Sequence, residues 1–238
     1  MAIRDPGVAD AKLGWWHQEM TESSQGRARH PLTREWVRLH TESELPPWSW
    51  WQQQLEGLGQ LVHQTRWMDE ATLQRHAQQT TGMACAVAAH VLGARSDAAM
   101  DAARVLGQGL RQAHLLATLG QDARAGWVMV GIDCLQAHDV RAHQLSRPQT
   151  PMPPGWPDLL NALHQRVQQT LQQGLSAVRA LPTSERRSMK PLVYLAHTSL
   201  ALTDAVRASG DMVLHQRVVL TPLHKGWIAQ QVRWGWLH

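Results

Sequence analysis

The stretch PDLLNALHQRVQQTLQQGLSAV, residues Pro157–Val178, decides the fold class. Leu160, Leu163, Val167, Leu171, Leu175 and Val178 recur at steps of three and four, which draws a single apolar stripe down a helix. Pro157 suits the first turn, where its missing N–H is not needed. So long a stripe must be covered, and the neighbouring segments supply helices to cover it. Trp48, Trp51, Leu55, Leu58 and Val62 repeat the pattern in PPWSWWQQQLEGLGQLVHQT. Further starts are marked by Asp5 ahead of Pro6, by His30-Pro31, by Asp69 ahead of EATL and by Ser96 ahead of DAAMDAARVLGQGL, each a polar cap or a proline before an apolar-periodic run. Only VLHQRVVL alternates with period two, and it is short. The reading is all-α. The proline-dense SRPQTPMPPGWP cannot be helical and reads as a surface loop inside one domain, 1–238, because the stripes on both sides of it still need burial.

Composition narrows the function classes. The chain has 238 residues, 43% hydrophobic and 18% charged, the balance of a globular protein with a full core. Twelve Trp stand beside one Tyr and no Phe, so bulky positions fall to Trp, whose indole N–H favours surfaces wet at one end. The net charge of +4 is carried almost wholly by Arg, which suits phosphate or carboxylate ligands. It is too dispersed for nucleic acid, as no basic run or aromatic-basic motif appears. The chain opens on no signal peptide and holds no apolar run of membrane-span length, which places it in the cytoplasm, with contact at the inner membrane surface still open.

Local catalytic patterns are scarce. The fourteen His include no pair three or four residues apart, so no helix presents a paired ligand set. Gly107 and Gly109 follow no strand, which points to close helix packing rather than a pyrophosphate cradle. Cys85 and Cys134 are too few for a disulfide framework, and Cys85 sits in an apolar run as a small hydrophobe.

An ordered set of motifs is more telling: DPGVADAKLGWWHQEM, GRARHPL, TRWMDEATLQRHAQQTTGMACAVAAHVLG, ARVLGQGLRQAHLLATLGQDARAGWVMV and VLHQRVVLTPLHKGWIA. From about Asp5 to Ala229 this order and spacing resembles the squalene/phytoene synthase family. The resemblance implies one antiparallel bundle of isoprenoid-synthase type with a central cavity. It also implies head-to-head joining of two isoprenyl diphosphates, held through Mg²⁺ by two facing aspartate-rich segments. Magnesium takes oxygen ligands, chiefly carboxylates and substrate phosphates, so those aspartates are the core of the machinery.

Against that pattern this chain is depleted. The family's second acidic segment, roughly Asn-x-x-Arg-Asp-x-x-Glu-Asp, falls on His114 to Asp122. His114 replaces the Asn, Ala117 the Arg, Thr118 the first Asp and Gln121 the Glu, and Asp122 alone is kept. The following Gly-Arg-x-Tyr-Leu-Pro falls on Gly126 to Gly131 and loses its Arg and Tyr to Trp127 and Met129. Upstream, Arg66 is kept while Trp67 stands for Tyr, and the first aspartate-rich helix is expected to be missing ahead of Asp5.

The resemblance therefore implies a catalytically degenerate member that binds an isoprenoid diphosphate, another lipid or a protein partner. The family includes non-catalytic members, among them a mitochondrial factor assisting assembly of respiratory complex I. The alternative is an active prenyltransferase condensing farnesyl or geranylgeranyl diphosphate. The substrate-binding positions it marks are Arg66, His114, Thr118, Gln121 and Asp122, with Asp122 the one carried-over metal ligand if Mg²⁺ is used, and no cofactor otherwise. The plainer reading of Asp122 is a carboxylate paired with Arg124, and that of Arg66 a solvated or ion-paired surface cation. Without a helix ahead of it, the stripe of Leu13, Trp16 and Met20 is expected to seek a partner chain or a second copy. The terminal TPLHKGWIAQQVRWGWLH reads as a helix with Leu223, Trp227, Ile228 and Trp234 on one side, which either seals the bundle or rests on a membrane.

Overall fold

In the computed structural model, residues 5–42, 44–149 and 151–237 are described. The chain forms two compact units that divide between Gln64 and Thr65.

The first unit holds α1 (Pro6–Ser24), α2 (Pro31–Glu42) and α3 (Trp48–His63), with α1 packed on both of the others. Asp5 caps α1 by accepting from the Val8 N–H at 3.0 Å, as the Asp-Pro pair suggests. Trp16 and Met20 are half-buried and line an apolar pocket with Leu32, Trp36, Trp48 and Trp51. The α3 stripe holds at Trp48, Trp51, Leu55 and Val62, but Leu58 is exposed and Gly57 is buried in its stead. The polar hub of this unit is Glu19. It accepts from the backbone N–H groups of Arg29 (2.9 Å) and His30 (2.8 Å) and from the Thr33 hydroxyl, which ties the 25–30 turn and α2 to α1.

The second unit begins with β1 (Arg66–Trp67) and α4 (Glu70–Ala77), capped by Asp69 through the Thr72 N–H at 2.7 Å. A π-helical turn, Gln78–Gly82, leads into α5 (Met83–Val91). After it come α6 (Asp97–Ala117), α7 (Leu119–Arg124), β2 (Val128–Gly131), α8 (Ile132–Ala137) and α9 (Ala142–Ser146). Ser146, Trp156 and Pro157, read from the sequence as part of the loop, belong to helices instead; α10 (Trp156–Ala180) is followed by α11 (Thr183–Ser188), α12 (Lys190–Ser209), α13 (Met212–His215) and α14 (Pro222–Trp234). β1 and β2 pair in parallel, a ladder too short for any period-two signal in the sequence.

The core of this unit is α6 packed on α10, with α5 and α12 beside α6. Every member of the α10 stripe read from the sequence is buried. The two helices meet through complementary small and large residues: a Cβ on Gly109 would lie 2.6 Å from Leu171, and one on Gly174 2.6 Å from Leu106. Gly107 meets backbone instead, since a Cβ there would lie 2.5 Å from the Thr81 carbonyl oxygen and 2.6 Å from Gly82 Cα. That contact seats the π turn directly on α6. Because neither side can yield by a rotamer change, Gly107→Ala is expected to cost about 2 kcal/mol and to lower the Tm by about 6 °C. An unchanged melting temperature in a thermal scan of the full chain would contradict this packing role.

The terminal helix corrects one expectation. Ile228 and Val232 are its buried residues, whereas Leu223, Trp227 and Trp234 lie on the opposite, exposed face, so Ile228 does not share a side with them.

Candidate functional site

The C-terminal half of α6 sets Arg111 and His114 one turn apart on a common face. Thr118 ends that helix, and its hydroxyl lies 2.9 Å from the His114 carbonyl oxygen and 2.7 Å from Asp122 Oδ2 in α7. It has one proton to give, and the charged acceptor makes the stronger bond. Asp122 is therefore held by Thr118, not by Arg124 as the plainer reading of the sequence had it. The Arg124 guanidinium turns away and donates to the carbonyl oxygens of Leu214 and, at 3.5 Å, His215. Gly120 leaves room for that approach, since any Cβ there would collide with the Leu214 carbonyl. These contacts dock α13 on α7 and bring Arg217, just beyond α13, to the same site.

Electrostatics ties the group together. Burial lowers the pKa of Arg111, and the Asp122 carboxylate opposes that shift. Partial desolvation, followed by Arg111, pushes His114 below its ordinary value although the residue is exposed at the surface; Asp122 pulls it back up, while Arg217 adds to the lowering. From α4, His76 comes in underneath, fully buried with its ring 4.9 Å from that of Trp67. Its pKa falls to about 4 through burial and the field of Arg111. Near pH 7 the site thus presents two fixed cations, one carboxylate and two uncharged imidazoles.

The adjoining face of α6 borders a small cavity of about 30 Å³, lined by Leu115, Leu116, Leu119, Met129 and Leu163 among others. That is room for water, far short of the ~300–1,000 Å³ of typical ligand pockets. Its polar edge is a Glu70–Arg166 ion pair at 2.8 Å, and Glu70 also accepts from the Gly131 N–H at 3.1 Å, fixing β2 to α4. Gln112 lines the same cavity, with neither its amide nitrogen nor its amide oxygen hydrogen-bonded among the described residues. The two thiols offer no nucleophile, because burial pushes Cys85 up to about 11 and raises Cys134 as well.

The profile of the squalene/phytoene synthase family matches residues 2–224, nearly the whole length. The chain belongs to that family. Its fold is similar to that of squalene synthase HpnC from Alicyclobacillus acidocaldarius, with a TM-score of 0.73 at 14% identity over 84% of this chain and 74% of that one. It is also similar to a dehydrosqualene synthase solved in complex with ligand, with a TM-score of 0.79 at 12% identity over 95% of this chain and 78% of that one. No curated protein sequence is matched.

Of the positions marked by the family motif, the structure brings together His114, Thr118 and Asp122. His114 is itself exposed, as are Gln121 and Arg66, the last of these on β1. Arg111, His76 and Arg217 were not singled out from the sequence. Arg111 could have been, since it lies one turn before His114; His76 and Arg217 come from distant segments and carry no local signal. The family's magnesium does not fit this donor set. Asp122 offers one carboxylate, already engaged by Thr118 and facing Arg111, whereas the ion needs a near-octahedral shell of oxygens. Among the described residues no group of three or more His, Cys, Asp or Glu is placed to hold a metal.

Proposed function

We propose that this member of the squalene/phytoene synthase family binds an isoprenoid diphosphate without magnesium and does not condense it. The observation that carries this reading is the exchange of charge at the second acidic segment. Where the family motif has carboxylates, this chain has Thr118 and Gln121, while Asp122 lies in the field of Arg111 and the neighbouring His114 in that of Arg111 and Arg217. Guanidinium groups recognise phosphate oxygens directly through paired N–H donors, a task the metal-dependent enzymes leave to bridging cations. Ionising an allylic diphosphate needs far more stabilisation of developing charge than two arginines and a neutral pair of imidazoles provide. The ligand's hydrocarbon chain would enter beside α6 by displacing flexible residues such as Met129 from the small cavity.

Titration calorimetry of the purified chain with farnesyl diphosphate, in EDTA and in magnesium chloride, tests this together with a pyrophosphate-release assay. Binding is expected to be equal in the two buffers, with no pyrophosphate released. Arg111→Ala and Arg217→Ala are each expected to weaken binding about tenfold, roughly the loss of one charge-assisted contact. Asp122→Asn separates the readings by sign: removing a negative charge from an anion site strengthens binding, while removing a metal ligand abolishes it. Magnesium-dependent pyrophosphate release, or loss of binding in Asp122→Asn, would restore the prenyltransferase reading.

A further inference from the structure

On α14, a rotation of about 100° per residue puts Leu223, Trp227 and Trp234 on one face, opposite the buried Ile228 and Val232. Those three side chains are 87%, 52% and 53% exposed. The helix then stops at Gly235, whose φ of +78° only glycine adopts without strain. The Gly235 N–H donates to the Val232 carbonyl at 3.2 Å and the Trp236 N–H to the Gln231 carbonyl at 2.9 Å, a Schellman closure. The reversal folds Trp236, itself 62% exposed, back beside Trp234 (ring centroids 4.8 Å apart) and Trp227 (6.2 Å). The terminus thus carries an outward cluster of three tryptophans that the core does not use.

Beside this cluster lies a groove of about 360 Å³ whose charged lining is Arg179, Arg186, Arg187 and Lys190, over an apolar floor that includes Val193 and Leu237. Leu237 follows Trp236 directly, and Lys190 Nζ lies 3.5 Å from the Arg233 carbonyl oxygen, so groove and cluster form one continuous surface. The carboxylate nearest in sequence, Glu185, is turned away. It accepts from the Arg95 N–H (2.8 Å), the Ser96 N–H (2.7 Å) and the Ser96 hydroxyl (2.6 Å) and leaves the groove cationic.

We infer that this surface docks the protein on an anionic phospholipid bilayer, with Trp227, Trp234 and Trp236 at headgroup level and Arg186, Arg187 and Lys190 of the groove on lipid phosphates. Tryptophan clusters favour an interface that is apolar on one side and wet on the other, and a basic groove adds attraction to an anionic leaflet. A second copy of this chain suits the surface less, because it would bring a like net charge of +4 to a cationic groove. Among the described residues no helix is long and apolar enough to cross a membrane, and this docking needs none. The inference does not depend on what the α6–α7 site binds.

The test is co-sedimentation of the full chain with vesicles of phosphatidylcholine alone and of phosphatidylcholine mixed with phosphatidylglycerol. The expected result is binding at least about tenfold tighter to the mixed vesicles, weakened by salt. The Trp227→Ser/Trp234→Ser/Trp236→Ser variant is expected to lose about tenfold or more of that affinity with an unchanged Tm. Arg186→Gln and Arg187→Gln are each expected to lose about fivefold, the effect of one cation near an anionic surface. Binding that is indifferent to phosphatidylglycerol, or a tryptophan variant and arginine variants that all bind like the parent, would overturn the inference. So would a parent that ignores vesicles and sediments as a dimer, with the tryptophan variant a monomer; that result would assign the face to a second copy.

Discussion

Glu19→Ala is expected to cost the unit that ends at Gln64 about 4 kcal/mol and to leave its helices unprotected against hydrogen exchange. The carboxylate is 2% exposed and accepts from two backbone N–H groups and from the Thr33 hydroxyl, with Ser23 Oγ at 3.4 Å. Hydrogen bonds to a charged group are worth about 1.5–3 kcal/mol each, and truncation strands the donors of Arg29 and His30 in a part-buried turn. Burial works to raise the Glu19 pKa. The bonds from Thr33, His30, Arg29 and Ser23 outweigh it and hold the group at about 2 instead of 4.5. The carboxylate's contribution is therefore whole above pH 4.5 and is lost as the pH falls toward 2. Glu19→Gln keeps one acceptor oxygen and should fall between the parent and the alanine variant. Exchange mass spectrometry on peptides from α1 and α2 reads the effect, and parent-like protection in Glu19→Ala would show that apolar packing alone holds the unit.

The contrast between α10 and this hub shows what a sequence discloses. The α10 stripe is a local regularity, enforced by one helix and its burial, and all six residues read from it lie in the core. Caps are equally local: Asp5, Asp69 and Ser96 each accept from the N–H three residues on. Glu19 bonds to residues ten and eleven positions away, across a turn, and nothing in the spacing announces that. The α3 stripe fails at Leu58 for a related reason. Period alone cannot tell that the helix turns Gly57 inward there.

The site divides along the same line. His114, Thr118 and Asp122 were legible because one linear motif carries them, and the structure joins them through a single hydroxyl. A comparison of motifs, however, records which carboxylates are lost and says nothing of which cations are gained. Arg217 follows α13, which packs closely on α7 where Gly120 admits the Leu214 carbonyl, a contact 94 residues distant in sequence. Likewise His76 arrives from α4 and is defined by its packing on Trp67.

His76 provides the site's pH response, and its sign follows from burial. In the unfolded chain its imidazole titrates near 6.5; in the fold, burial and Arg111 hold it at about 4. Below pH 6.5 the unfolded state takes up a proton that the folded state refuses, so stability is whole above that pH and declines as the pH falls toward 4. The full loss is about 3 kcal/mol, of which about 2 is incurred by pH ~5. His114, lowered by partial desolvation and by the same Arg111, acts in the same direction. Denaturant midpoints measured between pH ~7.5 and ~5 should therefore drop steeply for the parent and much less for His76→Leu, which keeps an apolar contact with Trp67 and has no proton to bind. A diphosphate seated on Arg111 and Arg217 would offset their field at both imidazoles and flatten the parent's slope. If His76→Leu retains that slope, the ring is not insulated from solvent, and the site near pH 5 carries more positive charge than its two arginines supply.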